Sequence, residues 1–489
     1  MIVDRPLGSA VGEKVDWRMI SFTNDARRTA AQITGMVALE GRDRRLGLLR
    51  RMAGRRAATR REVGGGLTRV ALRLVNTLDG RRDPVLVVPG RIVVPEAQRD
   101  DATNFLTRRG WLEDSPAVAP RSFAGRDQVA ELPITTAVDL PTVLKLMRAE
   151  GLQAGANHIA ALGGRAKGGS TPKHTDHVLA DREPVDLVTE PLIIVIDSGI
   201  DRAAVGDAHL PELNRTDGWL DGVEVHDAPA GFDPLDVVDY AGNDGADGFL
   251  DLAAGHGTFV AGLIRQHAPA APVRIIRALD TDGYGSETAI EAAIDRARDM
   301  FTENLGGPTG QGILNLSLGM ETIDGEAPSG IADAIAALPD TVITVAAAGN
   351  GPSGIPVWPA ALSGTNDHVI AVASASRTPG GELIGSSWSN FGDWVTVSAV
   401  GEGVISTFVD GTETRGSGAD DDPYDPCPDE FHGPNAYASW SGTSFSAARI
   451  TGEIAARVID GHSPGVVAAV DDLTRDQRPD GRYGVLLDI

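Results

Sequence analysis

Apolar positions change their period twice along this chain. Between about residues 20 and 62 they fall at helical spacing. Ile33, Met36 and Val37 share one face, and Leu46, Leu49 and Met52 continue a broken stripe among Arg42, Arg44, Arg45, Arg50, Arg51, Arg55 and Arg56. The pattern predicts a basic, mostly helical extension over residues 1–66, broken by Gly64-Gly65-Gly66. Shorter elements then alternate up to residue 162. Strands are predicted at 91–95, weakly at 116–120, at 129–137 and at 153–160, with a further strand at 70–75. Helices are predicted at 97–109, before Gly110, and at 139–151. The second has Asp139 as its N-cap, Pro141 in its first turn and Gly151 just past its end. The order βαββαβ defines a ferredoxin-like unit over residues 67–162, a common fold that alone says little about function.

A Gly-, Ser- and Lys-containing linker, Gly163–Pro172, leads through polar Lys173–Glu190, so residues 163–190 read as a connection. Beyond Pro191 the apolar runs become continuous: Leu192–Ile196, Val273–Leu279, Ile313–Ser317, Thr341–Ala347 and Val369–Ala375. Helical stretches at Thr258–Gln266, Ser286–Asn304 and Gly330–Ala337 lie between them. Strands without polar alternation are buried on both faces, as in a parallel sheet covered by helices. Residues 191–489 are therefore expected to form an α/β domain of three layers, with polar insertions at about 202–250 and 409–436.

Composition sharpens this picture in three places. With 489 residues the chain is long enough for two or three domains. Its net charge of −24 argues against nucleic acid as a partner of the whole molecule. That charge is uneven: residues 1–75 carry +9, from 16 Lys/Arg and 7 Asp/Glu, and the rest carry −33. The basic helix is expected to be solvated or to dock on the chain's own acidic body, with an anionic membrane or nucleic acid as the alternative. A single cysteine, Cys427, excludes an intrachain disulfide. No run is long enough for a membrane span and Met1–Phe22 lacks a signal-like apolar stretch, so a cytoplasmic protein is expected.

Four short motifs carry the chemistry. Asp197-Ser198-Gly199 follows an apolar strand, Gly255-His256-Gly257-Thr258 opens a helical run, Ala348-Gly349-Asn350 ends another strand, and Gly442-Thr443-Ser444 precedes the helix-forming stretch Phe445–Ile459. Singly each has an ordinary explanation: a turn-forming Asp, an Asn-Gly turn, an N-cap serine. Together, in the order Asp, His, Ser, they have the sequence of a subtilisin-type triad, distinct from the chymotrypsin and α/β-hydrolase orders.

On these motifs residues 191–460 resemble a subtilisin-like serine peptidase, a subtilase of peptidase family S8. The resemblance implies that Ser444 is the nucleophile, His256 the general base, Asp197 its orienting partner and Asn350 an oxyanion donor. It implies that Gly283-Tyr284-Gly285 and Ser317-Leu318-Gly319 are the edges between which a substrate peptide adds as a strand. It places Val357 and Ala360 of Val357-Trp358-Pro359-Ala360 at the floor of the pocket for the residue before the cut, and their bulk makes that pocket shallow and apolar. The ferredoxin-like unit resembles the family's propeptide, which makes the chain's own N-terminal region an expected intramolecular inhibitor, released by a cut between Ala161 and Glu190.

Three departures from the family stand out. Ser446-Ala447-Ala448-Arg449 lacks the proline usual in the helix after the serine, and alanine continues that helix well. The polar stretch containing Asp239, Asn243, Asp244, Asp247 and Asp251 is either a structural calcium site or a solvated loop, and its spacing is not that of an EF-hand. Asp420-Asp421-Asp422, Asp425, Asp429 and Glu430 lie in the second insertion, as a fence that favours basic substrates or as a loop without a role. The chemistry itself requires no cofactor. The expected function is a serine endopeptidase acting on peptide or protein substrates. Its alternatives are a dedicated maturation or regulatory protease that cuts one partner and, more remotely, an inactive binding module.

Overall fold

The computed structural model describes residues 72–113, 129–162, 172–206, 211–226, 250–304, 310–412, 429–475 and 479–489, without 81, 252 and 281. All lie within the unit Arg45–Ile489. The predicted N-terminal helix, the weak strand at 116–120, the linker 163–171, Cys427 and most of both acidic insertions fall outside the described residues.

The first layer is an antiparallel sheet built from β1 (Arg73–Val75), β2 (Val85–Pro95), β3 (Val129–Pro133) and β4 (Gly155–Ala161). β2 lies at its centre and pairs with the other three. It is twice as long as the sequence predicts. Pro89-Gly90 reads as a breaker, but Gly90 takes φ +69° inside a register shift between Val87 and Ile92, so the strand bends and continues. β3 stops at Pro133, and Ile134 makes only a bridge to Leu112, so the predicted strand 129–137 is shortened. Helices α1 (Arg99–Arg108) and α2 (Leu140–Ala149) cover one face. Asp139 caps α2 by accepting from Thr142 N–H at 3.1 Å, as its position predicts. Phe105, Leu106, Leu144 and Met147 pack against Val87, Ile92 and Val94 to form a core of its own.

The main sheet contains β5 (Leu192–Asp197), β6 (Glu224–His226), β7 (Val273–Arg277), β9 (Gly312–Leu316), β10 (Val342–Ala347), β11 (Val369–Arg377), β12 (Val397–Val400) and β13 (Val485–Leu487); β5, β7, β9, β10 and β11 come from the continuous apolar runs, and the other three are short strands the pattern does not predict. β8 (Tyr284–Ser286) pairs instead with β4. The order is β13-β12-β11-β10-β9-β5-β7-β6, every pair parallel. A short segment, Leu383–Gly385, runs antiparallel beside β11.

Alternation along β5 shows why both faces need cover. Ile193 and Val195 point toward α3 (His256–His267), α6 (Thr443–Ile459) and α7 (Val466–Thr474). Leu192, Ile194 and Ile196 point toward α4 (Glu287–Asn304) and α5 (Ser329–Ala336). The result is helix, sheet, helix, with the carboxyl ends of β5, β9 and β10 delivering Asp197, Ser317 and Asn350 to one edge. Among the described residues no helix is long and apolar enough to cross a membrane.

Candidate active site

Asp197 is the last residue of β5 and is fully buried. Its Oδ1 accepts from Ser198 N–H at 2.7 Å and lies 2.8 Å from His256 Nδ1. A carboxylate oxygen accepts, so Nδ1 is the donor in this contact and Nε2 is the ring nitrogen left over. His256 is the first residue of α3, two residues earlier than the apolar pattern suggests. Gly255 enters the helix at φ +77°. Gly257 fits because a Cβ there would stand 2.0 Å from Gly199 O; its N–H donates to Ser198 Oγ at 3.1 Å. The two halves of the Asp-His pair are thus locked together through their neighbours. Trp440 meets the imidazole edge-on at 5.4 Å, and Phe445 lies at 5.3 Å. Neither aromatic is marked by the sequence motifs.

Ser444 is the second residue of α6, with its amide in the first turn where backbone N–H groups have no helical acceptor. Its Oγ donates to Ser317 O at 3.1 Å, and Ser317 Oγ donates back to Ser444 O at 3.0 Å. Asn350 Oδ1 accepts from both Thr443 N–H (2.9 Å) and Thr443 Oγ1 (2.8 Å). That fixes the amide flip and leaves Nδ2 on the other side, beside Gly442. Asn390 braces the same turn, accepting from Gly351 and Ser353 N–H and donating to Ala348 O. Thr443 and Asn390 are positioning groups that sequence reasoning does not single out.

The two edge segments face each other across a channel, and the chain's own backbone lies in it. Ala160 and Ala161 of β4 pair with Gly285 and Tyr284 of β8. On the other side Ala161 N–H donates to Gly319 O at 2.9 Å, and Gly319 N–H returns to Ala161 O at 3.0 Å. Leu162 N–H donates to Gly283 O at 3.0 Å. Gly283, Tyr284, Gly285 and Gly319 are thereby brought together around one extended strand. Ser317 stands one step further in, while Leu318 is buried in the α4 core.

Val357 is buried against the glycines: a Cβ on Gly319 would stand 2.4 Å from its Cγ1, and one on Gly349 would stand 3.7 Å from its Cγ2. Ala360, expected beside it at the pocket floor, instead packs with the α4 and α5 core, since it opens the short helix Ala360–Gly364 pointing inward.

Residues 189–475 match the family model described as the subtilase family, Peptidase_S8. The chain belongs to the subtilase family of serine-type endopeptidases. It is similar to thermitase of Thermoactinomyces vulgaris, 30% identical over 234 residues that make up 46% of this chain and 68% of thermitase. It is also similar to the thermophilic serine proteinase of Bacillus sp. (strain AK1), 27% identical over 260 residues, 53% of this chain and half of that protein's length. Among solved structures it resembles fervidolysin from Fervidobacterium pennivorans, a keratinolytic enzyme related to subtilisin. The TM-score is 0.53 at 17% identity, over 86% of this chain and 63% of that one, a likeness of fold. The parallel sheet with helices on both faces is the α/β subtilisin-like fold.

Electrostatics around the site come mostly from burial. Desolvation pushes the Asp201 carboxyl, three residues after Ser198, above its ordinary value. Where the end of α3 packs on the second half of α6, the His267 imidazole and the Arg457 guanidinium hold Glu453 below the usual carboxylate range. Arg449 Nε meets His267 Nε2 at 3.2 Å in the same cluster. Among the described residues no group of three or more His, Cys, Asp and Glu side chains could hold a metal ion. Of the acidic stretch suggested for calcium only Asp251 is described.

Proposed function

We propose that the chain is a serine endopeptidase in which Ser444 attacks a peptide carbonyl, His256 carries the proton and Asp197 holds the imidazole. The observation that carries this reading is a strand of the chain's own backbone, Ala160–Leu162, bonded on both sides in the channel that leads to Ser444. A surface that adds a peptide as a strand, with an Asp-His pair and a helix-start serine at its end, suits hydrolysis of extended peptides.

In this reading the Ser444 hydroxyl turns from Ser317 O to Nε2 of His256. As Oγ bonds the carbonyl carbon, its proton passes to Nε2, and Asp197 stabilises the imidazolium without accepting the proton. The oxyanion accepts from Ser444 N–H and Asn350 Nδ2–H, helped by the positive end of α6. His256 then protonates the leaving amine, and water hydrolyses the ester with the roles reversed. No cofactor takes part in these steps. All four polar groups are retained, which supports this reading over that of an inactive binding module.

Residues 67–162 act in the same reading as a tethered inhibitor, with 163–190 as the processed linker and 191–489 as the catalytic part. Part of the docking is polar: in the buried part His158 Nε2 accepts Ile323 N–H at 3.1 Å while Nδ1 donates to Glu287 at 2.6 Å, and at its exposed margin Arg148 meets Asp324 at 2.7 Å. The test is hydrolysis of an unstructured protein by the wild type and by Ser444→Ala. Cleavage by the wild type alone supports the reading. Equal cleavage by both, or by neither, contradicts it.

A further inference from the structure

The Ser444 hydroxyl donates to Ser317 O, so the nucleophile does not hold the imidazole of His256. Asp197 Oδ1 holds it at Nδ1, 2.8 Å away. One hydrogen bond fixes a point and leaves the ring able to tilt about it. Two aromatic neighbours set the plane. Trp440 stands nearly perpendicular to the imidazole, at 86° with 5.4 Å between centroids, and Phe445 lies at 38° and 5.3 Å. Both are buried, as is His256. Trp440 also meets Phe445 at 5.2 Å, and Phe259 packs against the pair. In a cluster packed this closely the imidazole cannot tilt without displacing one of the rings.

Trp440 is held in turn by a strand from the stretch expected to be a linker. Tyr437–Trp440 is the middle strand of a small antiparallel sheet, between Val404–Thr407 and Lys173–His174. Lys173 pairs with Ser439, next to Trp440, and His174 pairs with Ala438. His174 Nδ1 donates to Glu430 O at 3.0 Å, and Lys173 Nζ lies 3.3 Å from Asp429. Phe431, which follows Glu430, meets Phe408 at 4.5 Å, and Phe408 meets Trp440 at 5.9 Å. Lys173–His174 therefore reaches His256 by two routes, one through the ladder and one through the rings. The segment after it is seated as well. Trp219 Nε1 donates to Ala180 O at 3.1 Å, Arg182 N–H to Asp217 O at 2.8 Å, and Val188 N–H to Ala270 O at 3.0 Å. The Asp217 carboxylate accepts from the Tyr437 hydroxyl, so one residue ties this segment to the strand of Trp440.

We propose that Trp440 is a positioning residue for the general base and that Lys173–His174 is the strand that holds it in place. This rests on the proposed endopeptidase reading, in which Nε2 of His256 takes and returns the serine proton. It also divides the expected linker, because residues 173–190 then act with the catalytic part. Trp440 works through His256: it keeps Nε2 aimed at the Ser444 hydroxyl while the proton passes. Its loss therefore lowers turnover and leaves substrate binding alone.

The test compares the wild type with Trp440→Leu, Trp440→Phe and the pair Lys173→Pro with His174→Pro, all in the full chain. Three quantities are read: the thermal midpoint, the proton NMR signal of His256 Nδ1–H, and kcat and KM on an unstructured protein once the channel is cleared. A hydrogen bond to a carboxylate moves that proton far downfield, and its absence in His256→Ala assigns it. The wild type should give a sharp signal. Trp440→Leu should broaden or lose it as water reaches the loosened ring, and should lower kcat at least about tenfold with KM within about twofold. Trp440→Phe keeps an aromatic ring and should restore the signal and most of kcat. The proline pair removes both strand N–H groups and should act as Trp440→Leu does. An unchanged signal and kcat in folded Trp440→Leu overturns the inference and leaves the endopeptidase reading standing. So does a loss that follows the thermal midpoint alone and is equal for leucine and phenylalanine. A wild-type signal and kcat in the proline pair overturns the role of the strand. A folded wild type that hydrolyses nothing with its channel cleared overturns the endopeptidase reading, and the inference falls with it.

Discussion

Ser444 Oγ donates to the main-chain carbonyl of Ser317 at 3.1 Å, and that carbonyl lies next along the edge strand from the Gly319 to which Ala161 is paired. The nucleophile therefore rests on an acceptor that a bound peptide's N–H would claim. Substrate binding would release the hydroxyl toward His256, coupling occupancy of the channel to activation of the serine. Removing the residue's oxygen removes the nucleophile without removing packing. Ser444→Ala should lose hydrolysis entirely with an unchanged thermal midpoint. His256→Ala should cost about as much, and the double variant no more than either, because the groups act as one unit. Additive losses in single-turnover kinetics would contradict this.

Asn350 is held by Thr443 so that only its amide nitrogen is left for the oxyanion. Asn350→Leu should lower kcat about 10²–10³-fold with KM little changed, a magnitude known for the same kind of donor in subtilisin. Thr443→Val, which lets the amide turn, should lower kcat in the same direction but less. A loss confined to KM would assign Asn350 to binding instead.

The four residues of the proposed chemistry were legible because each stands in a motif whose geometry is local: a strand end, a helix start, a turn. The groups that aim them were not. Trp440 and Phe445 look like core aromatics, and Asn390 looks like a loop residue. Their roles exist only once β10, α3 and α6 converge. The continuous apolar strands revealed the buried parallel sheet. By contrast, β2 was hidden by Pro89-Gly90, since a bulge and a chain break look alike in sequence. Val357 and Ala360 were indistinguishable as a pair of small apolar residues, and only folding separates the one at the channel from the one in the core.

Glu453, within α6, ties that helix to the last residue of α3, standing 3.9 Å from His267 and 3.0 Å from Arg457. Its carboxyl is held below the ordinary glutamate value, so the unfolded chain binds its proton more readily than the native one. The resulting stability is complete above that ordinary value and fades as pH falls through the lowered native one. Glu453→Gln should cost up to about 1 kcal/mol at neutral pH, given its partial exposure, and nothing at strongly acid pH. Denaturant titrations at the two pH values test this; a gap that widens toward acid would refute it.

A buried cluster supports the wall behind His256. Arg215 grips Asp217 through two bonds at 2.6 and 2.9 Å, Tyr437 donates its hydroxyl to the same carboxylate, and Arg215 also reaches Phe408 O and Ala436 O. Burial, followed by the carboxylate, raises the Tyr437 hydroxyl well above its ordinary value and keeps it a donor. Asp217→Ala would leave a buried guanidinium without its counter-charge and should cost about 3–5 kcal/mol. Chemical denaturation measures it, and a loss below 1 kcal/mol would show that the cluster relaxes into water.

The assignment of Ser444 as an activated nucleophile is tested most directly by reacting the protein with a fluorophosphonate and mapping the adduct by mass spectrometry. Only a serine with a working base reacts at an appreciable rate. The expected result is a single adduct on Ser444, absent in Ser444→Ala and strongly slowed in His256→Ala. An adduct on another serine, or none in protein that is folded and has its channel cleared, would contradict the account.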